Sequence, residues 1–90
     1  MTATIRIVDV SSRLVGRTNH RVQRFEILAD RALDVIGRRT LSTLDAWAAS
    51  YATQAQRQGL IVTVRYDATR YGLELREIEP VDALRRPVEA

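Results

Sequence analysis

The chain contains no cysteine and no lysine, a single histidine, only two prolines and no long apolar run. Without cysteine, disulfides, thiolate catalysis and sulfur-ligated zinc are excluded. Without lysine, a phosphate-binding loop of the Gly-x-x-x-x-Gly-Lys type is excluded as well, and no Gly-x-Gly-x-x-Gly stretch replaces it. His20 has no second histidine one helical turn away, so a zinc site would need it together with distant carboxylates; no metal is expected. No apolar stretch approaches the roughly 20 residues that cross a bilayer, and the opening MTATIRIVDV has no basic segment followed by an apolar one. A cytoplasmic location and no membrane partner are the expectations.

Catalytic arrangements are equally hard to find. No Gly-x-Ser-x-Gly elbow is present, and Ser11, Ser12, Ser42 and Ser50 each have a local structural explanation. Asp30 and Asp34 lie together, but no second acidic cluster offers a general acid and base; their simpler role is to pair with Arg31 and its basic neighbours. The chain therefore reads as no enzyme, with no cofactor and no catalytic residues.

What is present is arginine. All 14 basic residues are arginine, against 11 acids, for a net charge of +3. The balance is modest, and the high isoelectric point follows from a guanidinium that stays protonated far above neutral pH. Its distribution along the chain is more telling. The segment SRLVGRTNHRVQRF, residues 12–25, holds four arginines and the histidine without one acid, while the next ten residues hold three acids.

At 90 residues the chain has room for one small core. Residues 1–79 read as a single compact α+β domain and residues 80–90, with two prolines and scattered apolar residues, as a peripheral or disordered tail. TIRIVDV alternates as a strand through Val10. The next segment has two readings. In one, Gly16 to Asn19 turns the chain and HRVQRFEIL returns as a strand with Phe25 and Ile27 toward the core. In the other, Val22, Phe25, Ala29, Ala32 and Ile36 line one face of a helix capped by Thr18 or Asn19. The strand is favoured, because Val22, Phe25 and Ile27 suit a sheet and pair locally with the first strand. Residues 30–40 form either a short helical turn or an extended segment, punctuated by Gly37.

A helix is expected over Leu41–Gly59, with Ser42 as its cap, Asp45 completing the capping box, and Gly59 supplying the left-handed end. Leu44, Trp47, Ala48, Tyr51, Ala52 and Ala55 recur at helical spacing, and Trp47 is expected in the core. Leu60, Val62, Val64 and Tyr66, then Tyr71, Leu73 and Leu75, alternate as an antiparallel hairpin joined around DATR. The predicted fold class is a small antiparallel sheet packed by one main amphipathic helix, in the order β-β-α-β-β, with β-α-α-β-β as the alternative. A helix followed by two strands resembles the helix and wing of a winged-helix domain, with Arg65, Arg70 and Tyr71 near the wing. Three helices and any sequence motif are missing, so no family is assigned.

These elements point to a non-enzymatic nucleic-acid-binding accessory protein with Arg13, Arg17, His20, Arg21, Arg24, Arg38 and Arg39 on one phosphate-binding surface. Guanidinium groups make bidentate contacts to phosphate, and a basic hairpin could enter a duplex groove. The competing reading is a solvated edge that discourages aggregation. The alternative function is a protein-interaction or assembly module, including a homodimer through a sheet edge, with Tyr66 or Tyr71 as anchor.

Overall fold

The computed structural model describes residues 1–81. Five strands and one helix follow in the order β1 (Thr2–Val15), β2 (Val22–Ala29), β3 (Thr40–Thr43), α1 (Ala46–Gln58), β4 (Ile61–Thr69) and β5 (Gly72–Pro80). The strands close into a barrel in the order β1-β2-β3-β5-β4, antiparallel throughout except where β3 runs parallel to β5. The α+β class holds. The strand reading of the second segment holds too, which removes the β-α-α-β-β order, and one strand is added that the sequence reading lacked. No helix among the described residues is long and apolar enough to cross a membrane.

β1 reaches around the barrel because its alternation changes phase. Ile5 and Ile7 point inward, and residues Thr2–Arg6 pair with β4. One extra residue then intervenes between Ile7 and Asp9, after which Val10 stands opposite the buried Ile27 of β2. A bulge of this kind bends and twists a strand, so one strand can serve two partners in succession. β5 carries a second bulge opposite Arg65/Tyr66, and its inward set passes from Leu73 and Leu75 to Ile78. The β1–β2 turn depends on Gly16 at φ +106°, where an added Cβ would meet the His20 carbonyl at 2.6 Å.

The core gathers Ile5, Ile7, Ile27, Leu41, Val62, Val64, Leu73 and Leu75 inside the barrel, with Leu33 and Tyr66. Each fully buried aliphatic side chain contributes roughly 1.5–3 kcal/mol. Tyr66 is buried with its polar end satisfied, since Oη donates to the Leu33 carbonyl at 2.6 Å. That bond pins the β2–β3 loop, which is neither helix nor strand over residues 30–39 and includes Gly37 at φ +98°. The Leu33 amide donates to the Arg38 carbonyl at 2.8 Å and closes the loop on itself.

Two expectations about the helix are corrected. Ser42 is not its cap but lies in β3, flanked by the buried Leu41 and Thr43, and the helix begins at Ala46 rather than near Leu41 and has 13 residues. The cap is Asp45, whose Oδ1 accepts from the amides of Trp47 at 2.9 Å and Ala48 at 3.3 Å. Nor is Trp47 in the core: it is 71% exposed, and Leu44 is 55% exposed. Ala48, Ala49, Ala52 and Ala55 are the residues that α1 buries. Small side chains let the helix axis approach the barrel closely, and the neighbouring stripe of larger residues is displaced to the flank. There Trp47 stacks on the half-buried Tyr51, with ring centroids 6.0 Å apart and planes 8° apart. Gly59 ends the helix in the left-handed conformation, as expected.

The expected hairpin is β4–β5, with its turn at Arg70 and Tyr71, so Tyr71 belongs to the turn rather than to the second strand. The helix-and-wing likeness does not survive, because β4 and β5 are built into the barrel. Of the expected tail, residues 82–90 lie outside those described; Pro80 ends β5, and the Val81 amide donates to the Ile61 carbonyl at 3.3 Å.

Candidate nucleic-acid interface

Pairing of β1 with β2 continues beyond the pairing of β2 with β3, which begins at Phe25, and the last residues of β1 and first of β2 form a projecting arm. On one face of this arm, Arg13 stands opposite Arg24 and Val15 opposite Val22. Like charges directly opposed across a strand pair repel unless each has a partner. Both have one. Arg13 pairs with Glu26 at 3.2 Å, and Arg24 pairs with Glu74, which arrives from β5. Both Arg24 and Glu74 keep only about a fifth of their side-chain surface exposed, at 20% and 22%.

At the arm tip Arg17, His20 and Arg21 are exposed, and no ion pair joins them to a carboxylate among the described residues. Arg38 and Arg39 lie at the end of the β2–β3 loop. Asp34 holds this loop together: its Oδ1 accepts from the amides of Ile36, Gly37 and Arg38, and its Oδ2 accepts from Arg38 Nε at 2.6 Å. The Arg38 amide and guanidinium hold the Asp34 carboxyl below the ordinary range. Arg39 donates from Nε to the Ala29 carbonyl at 3.0 Å, a neutral partner that leaves its charge uncompensated.

The seven residues singled out in the sequence therefore do not form one bare patch. Arg13, Arg24 and Arg38 are paired with carboxylates; Arg17, His20 and Arg21 occupy the arm tip; Arg39 stands apart at the loop.

A surface feature that the acid-free segment does not predict links Arg13 and Arg24 with Arg38 and Arg39, while Arg17, His20 and Arg21 line neither of its two parts. A groove of about 730 Å³ opens between the arm and the β4–β5 turn, with Arg13 on one wall, Arg70 and Tyr71 on the other, and Glu26, Ser42 and Glu74 along its length. A second depression of about 370 Å³ shares Glu26, Ser42 and Tyr71 with it and continues to Arg38 and Arg39. Tyr71, 82% exposed, stands where the two meet. The Arg70 guanidinium carbon lies 5.6 Å from its ring centroid, a cation–π contact. Thr69 fixes the turn by accepting from the Tyr71 amide and donating to the Gly72 carbonyl, both at 3.1 Å.

Six arginines border the two depressions, counting Arg24 and Arg76 in the first. Four carboxylates answer them: Glu26 and Glu74 in the lining, Asp34 on Arg38, and Asp67 on Arg76. The balance is positive before the arm tip is added. Sequence reasoning left Arg70, Tyr71 and Arg76 out of the nucleic-acid surface. The available signal was the arginine and aromatic pair at a hairpin tip, in TRYG.

Among the described residues no group of His, Asp or Glu could hold a metal ion. Comparison with known proteins gives no match: no family model fits the chain, and neither a curated protein nor a solved structure matches it. In connectivity alone, with the helix between β3 and β4 and the order β1-β2-β3-β5-β4, the barrel resembles the five-stranded Greek-key barrel called the OB fold.

Proposed function

We propose that this chain is a non-enzymatic nucleic-acid-binding accessory protein that meets phosphates along the groove between the arm and the β4–β5 turn. The observation that carries the proposal is the origin of its cations. Arg70 on the β4–β5 turn and Arg39 at the end of the β2–β3 loop line the two adjoining depressions without a carboxylate partner among the described residues, and the exposed Arg17 and Arg21 at the arm tip have none either. A polyanion laid along the two depressions would meet more than one guanidinium group at once, whereas a small anion would meet one. OB-type barrels bind oligonucleotides and oligosaccharides over the second and third strands and the hairpin loops, and this groove overlies the same region; that support is an analogy of fold.

The test is fluorescence anisotropy with labelled single- and double-stranded DNA and RNA at low salt, repeated as salt is raised. Saturable binding is expected, weakening with salt by a logarithmic slope of roughly 2–3 for three or four phosphate contacts to a single strand. Absence of saturable binding at low salt would overturn the proposal.

A protein-interaction module is the second reading, and a different surface favours it. Trp47, in the first turn of α1, and Leu44, just before the helix cap, are both exposed. Sedimentation of the wild type and Trp47→Ala over a concentration series tests the homodimeric form of this reading, which requires association that the substitution weakens.

A further inference from the structure

We propose that two copies of this chain associate through the open edge of β1, antiparallel about Ser11, with Asp9 of each copy paired to the partner's Arg13. This goes beyond the nucleic-acid reading, does not depend on it, and uses a surface other than Trp47.

The bulge in β1 creates the edge. Thr2–Arg6 have β4 on one side, but past the bulge that side is left open, and residues 9–15 pair with β2 alone among the described residues. Beyond that ladder they make no backbone hydrogen bond among the described residues. Gln56 of α1 closes the row at Val8, where its Nε2 donates to the carbonyl at 2.9 Å. Beside Val10, Ser11 and Ser12 lies a depression of about 270 Å³ whose far wall is formed by the small side chains Ala46, Ala49 and Ser50 of α1. Small residues leave room there for a second strand. An uncovered strand edge is a template for pairing, and another strand laid along it extends the sheet.

The charges set partner and register. In a twofold contact, residue i of one copy meets residue j of the other, and j meets i. Past the bulge Asp9, Ser11 and Arg13 share the face of β1 that turns away from the core-packed Val10. Asp9 is exposed and forms no ion pair among the described residues, while Arg13 meets Glu26 yet keeps 66% of its side-chain surface exposed. Centring the pairing on Ser11 sets Asp9 opposite the partner's Arg13 twice in each dimer and places Val10 against the smaller Ser12. Opposite charges directly across a strand pair attract, and like charges repel. Centring on Arg13 opposes two guanidinium groups, and centring on Ser12 leaves Asp9 facing Val15. The register about Ser11 is the one that satisfies both charges.

Sedimentation equilibrium of the wild type, Trp47→Ala, Asp9→Arg and Arg13→Asp tests the proposal, with circular dichroism of each variant to verify the barrel. The wild type and Trp47→Ala are expected to dimerise alike. Each charge reversal opposes like charges at both ends of the contact and should weaken association roughly 10-fold or more. Mixing the two reversed variants in equal amounts restores both opposite-charge pairs, and association should return to within about 3-fold of the wild type. Ser11→Cys supplies the chain's sole thiol at the twofold axis, where facing Cα atoms of an antiparallel pair lie within disulfide range. Oxidised glutathione should convert that variant to a covalent dimer and leave Thr18→Cys, at the arm tip, monomeric under denaturing conditions. A wild type that stays monomeric over the full accessible concentration range overturns the proposal. So does a dimer indifferent to both charge reversals, or one lost in Trp47→Ala, which places the contact on the flank of α1. Failure of Ser11→Cys to crosslink within a dimer overturns the register.

Discussion

The guanidinium of Arg24 on β2 donates to the carboxylate of Glu74 on β5, passing over the short strand β3 that separates them. The two residues are 50 positions apart in the chain, and their pairing converts the most central arginine of the acid-free segment from a free cation into half of a partly buried ion pair. Among the residues lining the groove and the depression beside it, Arg70 and Arg39 rather than Arg24 are therefore the cations without a carboxylate partner among the described residues.

Replacing Glu74 by Gln should reverse that arrangement locally. The amide keeps an oxygen that Arg24 can use but gives up its negative charge. Single-strand affinity is expected to rise several-fold, and the logarithmic salt slope to steepen by up to about 0.7, the increment for one further phosphate. Anisotropy titrations at several salt concentrations decide it; an unchanged affinity and slope would mean that Arg24 does not meet the ligand.

Removing Arg17 and Arg21 together should weaken binding at least 10-fold at low salt, as each contact with a charged partner is worth more than about 1 kcal/mol. Replacing Arg31 and Arg57, both exposed and outside the groove, should change affinity by less than 3-fold. Equal losses in the two double variants would point to diffuse attraction by net charge.

Acid should loosen the β2–β3 loop. The Asp34 carboxyl is held below its ordinary value by the Arg38 amide and guanidinium, so it stabilises the fold above the unfolded-state value of about 3.9. That contribution is lost as pH falls through the lower folded-state value. Asp30, held low by the Arg6 amide, and Asp67, held low by Arg76, act in the same direction. Urea unfolding of the wild type and Asp34→Asn should show a gap in stability that is widest near pH 7 and narrows toward pH 3. A gap independent of pH would place the effect of the substitution elsewhere.

The start of α1 offers a direct contrast. Asp45→Ala should cost about 1 kcal/mol through loss of the cap on the Trp47 and Ala48 amides. Ser42→Ala should leave the helix start intact, because Ser42 is a strand residue. Denaturant unfolding of both variants measures the difference, and a larger loss at Ser42 would restore it as the cap.

Much of the fold was legible because its signals are local. The two-residue period of Ile5 and Ile7, of Val62, Val64 and Tyr66, and of Leu73 and Leu75 marks strands whose inner faces are indeed buried. Gly16 and Gly59 mark a turn and a helix end that need positive φ. β3 was not legible, since four residues carry only Leu41 and Thr43 as an inward pair and run directly into helical spacing. Its parallel pairing with β5 leaves no trace in neighbouring residues. Trp47 misled for a related reason: two adjacent stripes share the same helical period, and only the barrel decides which one it accepts.

The arrangement of the candidate site was half legible for the same cause. An acid-free window locates cations along the chain, but Glu74 reaches Arg24 from the far end of the fold. Arg70 and Tyr71, distant in sequence from the arm, return to face it across the groove.

The most direct measurement is amide and side-chain chemical-shift mapping of the isotopically labelled chain as a short single-stranded oligonucleotide is added. Perturbations should gather on Arg17, Arg21, Arg39, Arg70 and Tyr71, together with the strands beneath the groove, and leave Trp47 unmoved. Shifts centred on Trp47 and the outer flank of α1, with the groove silent, would contradict the account.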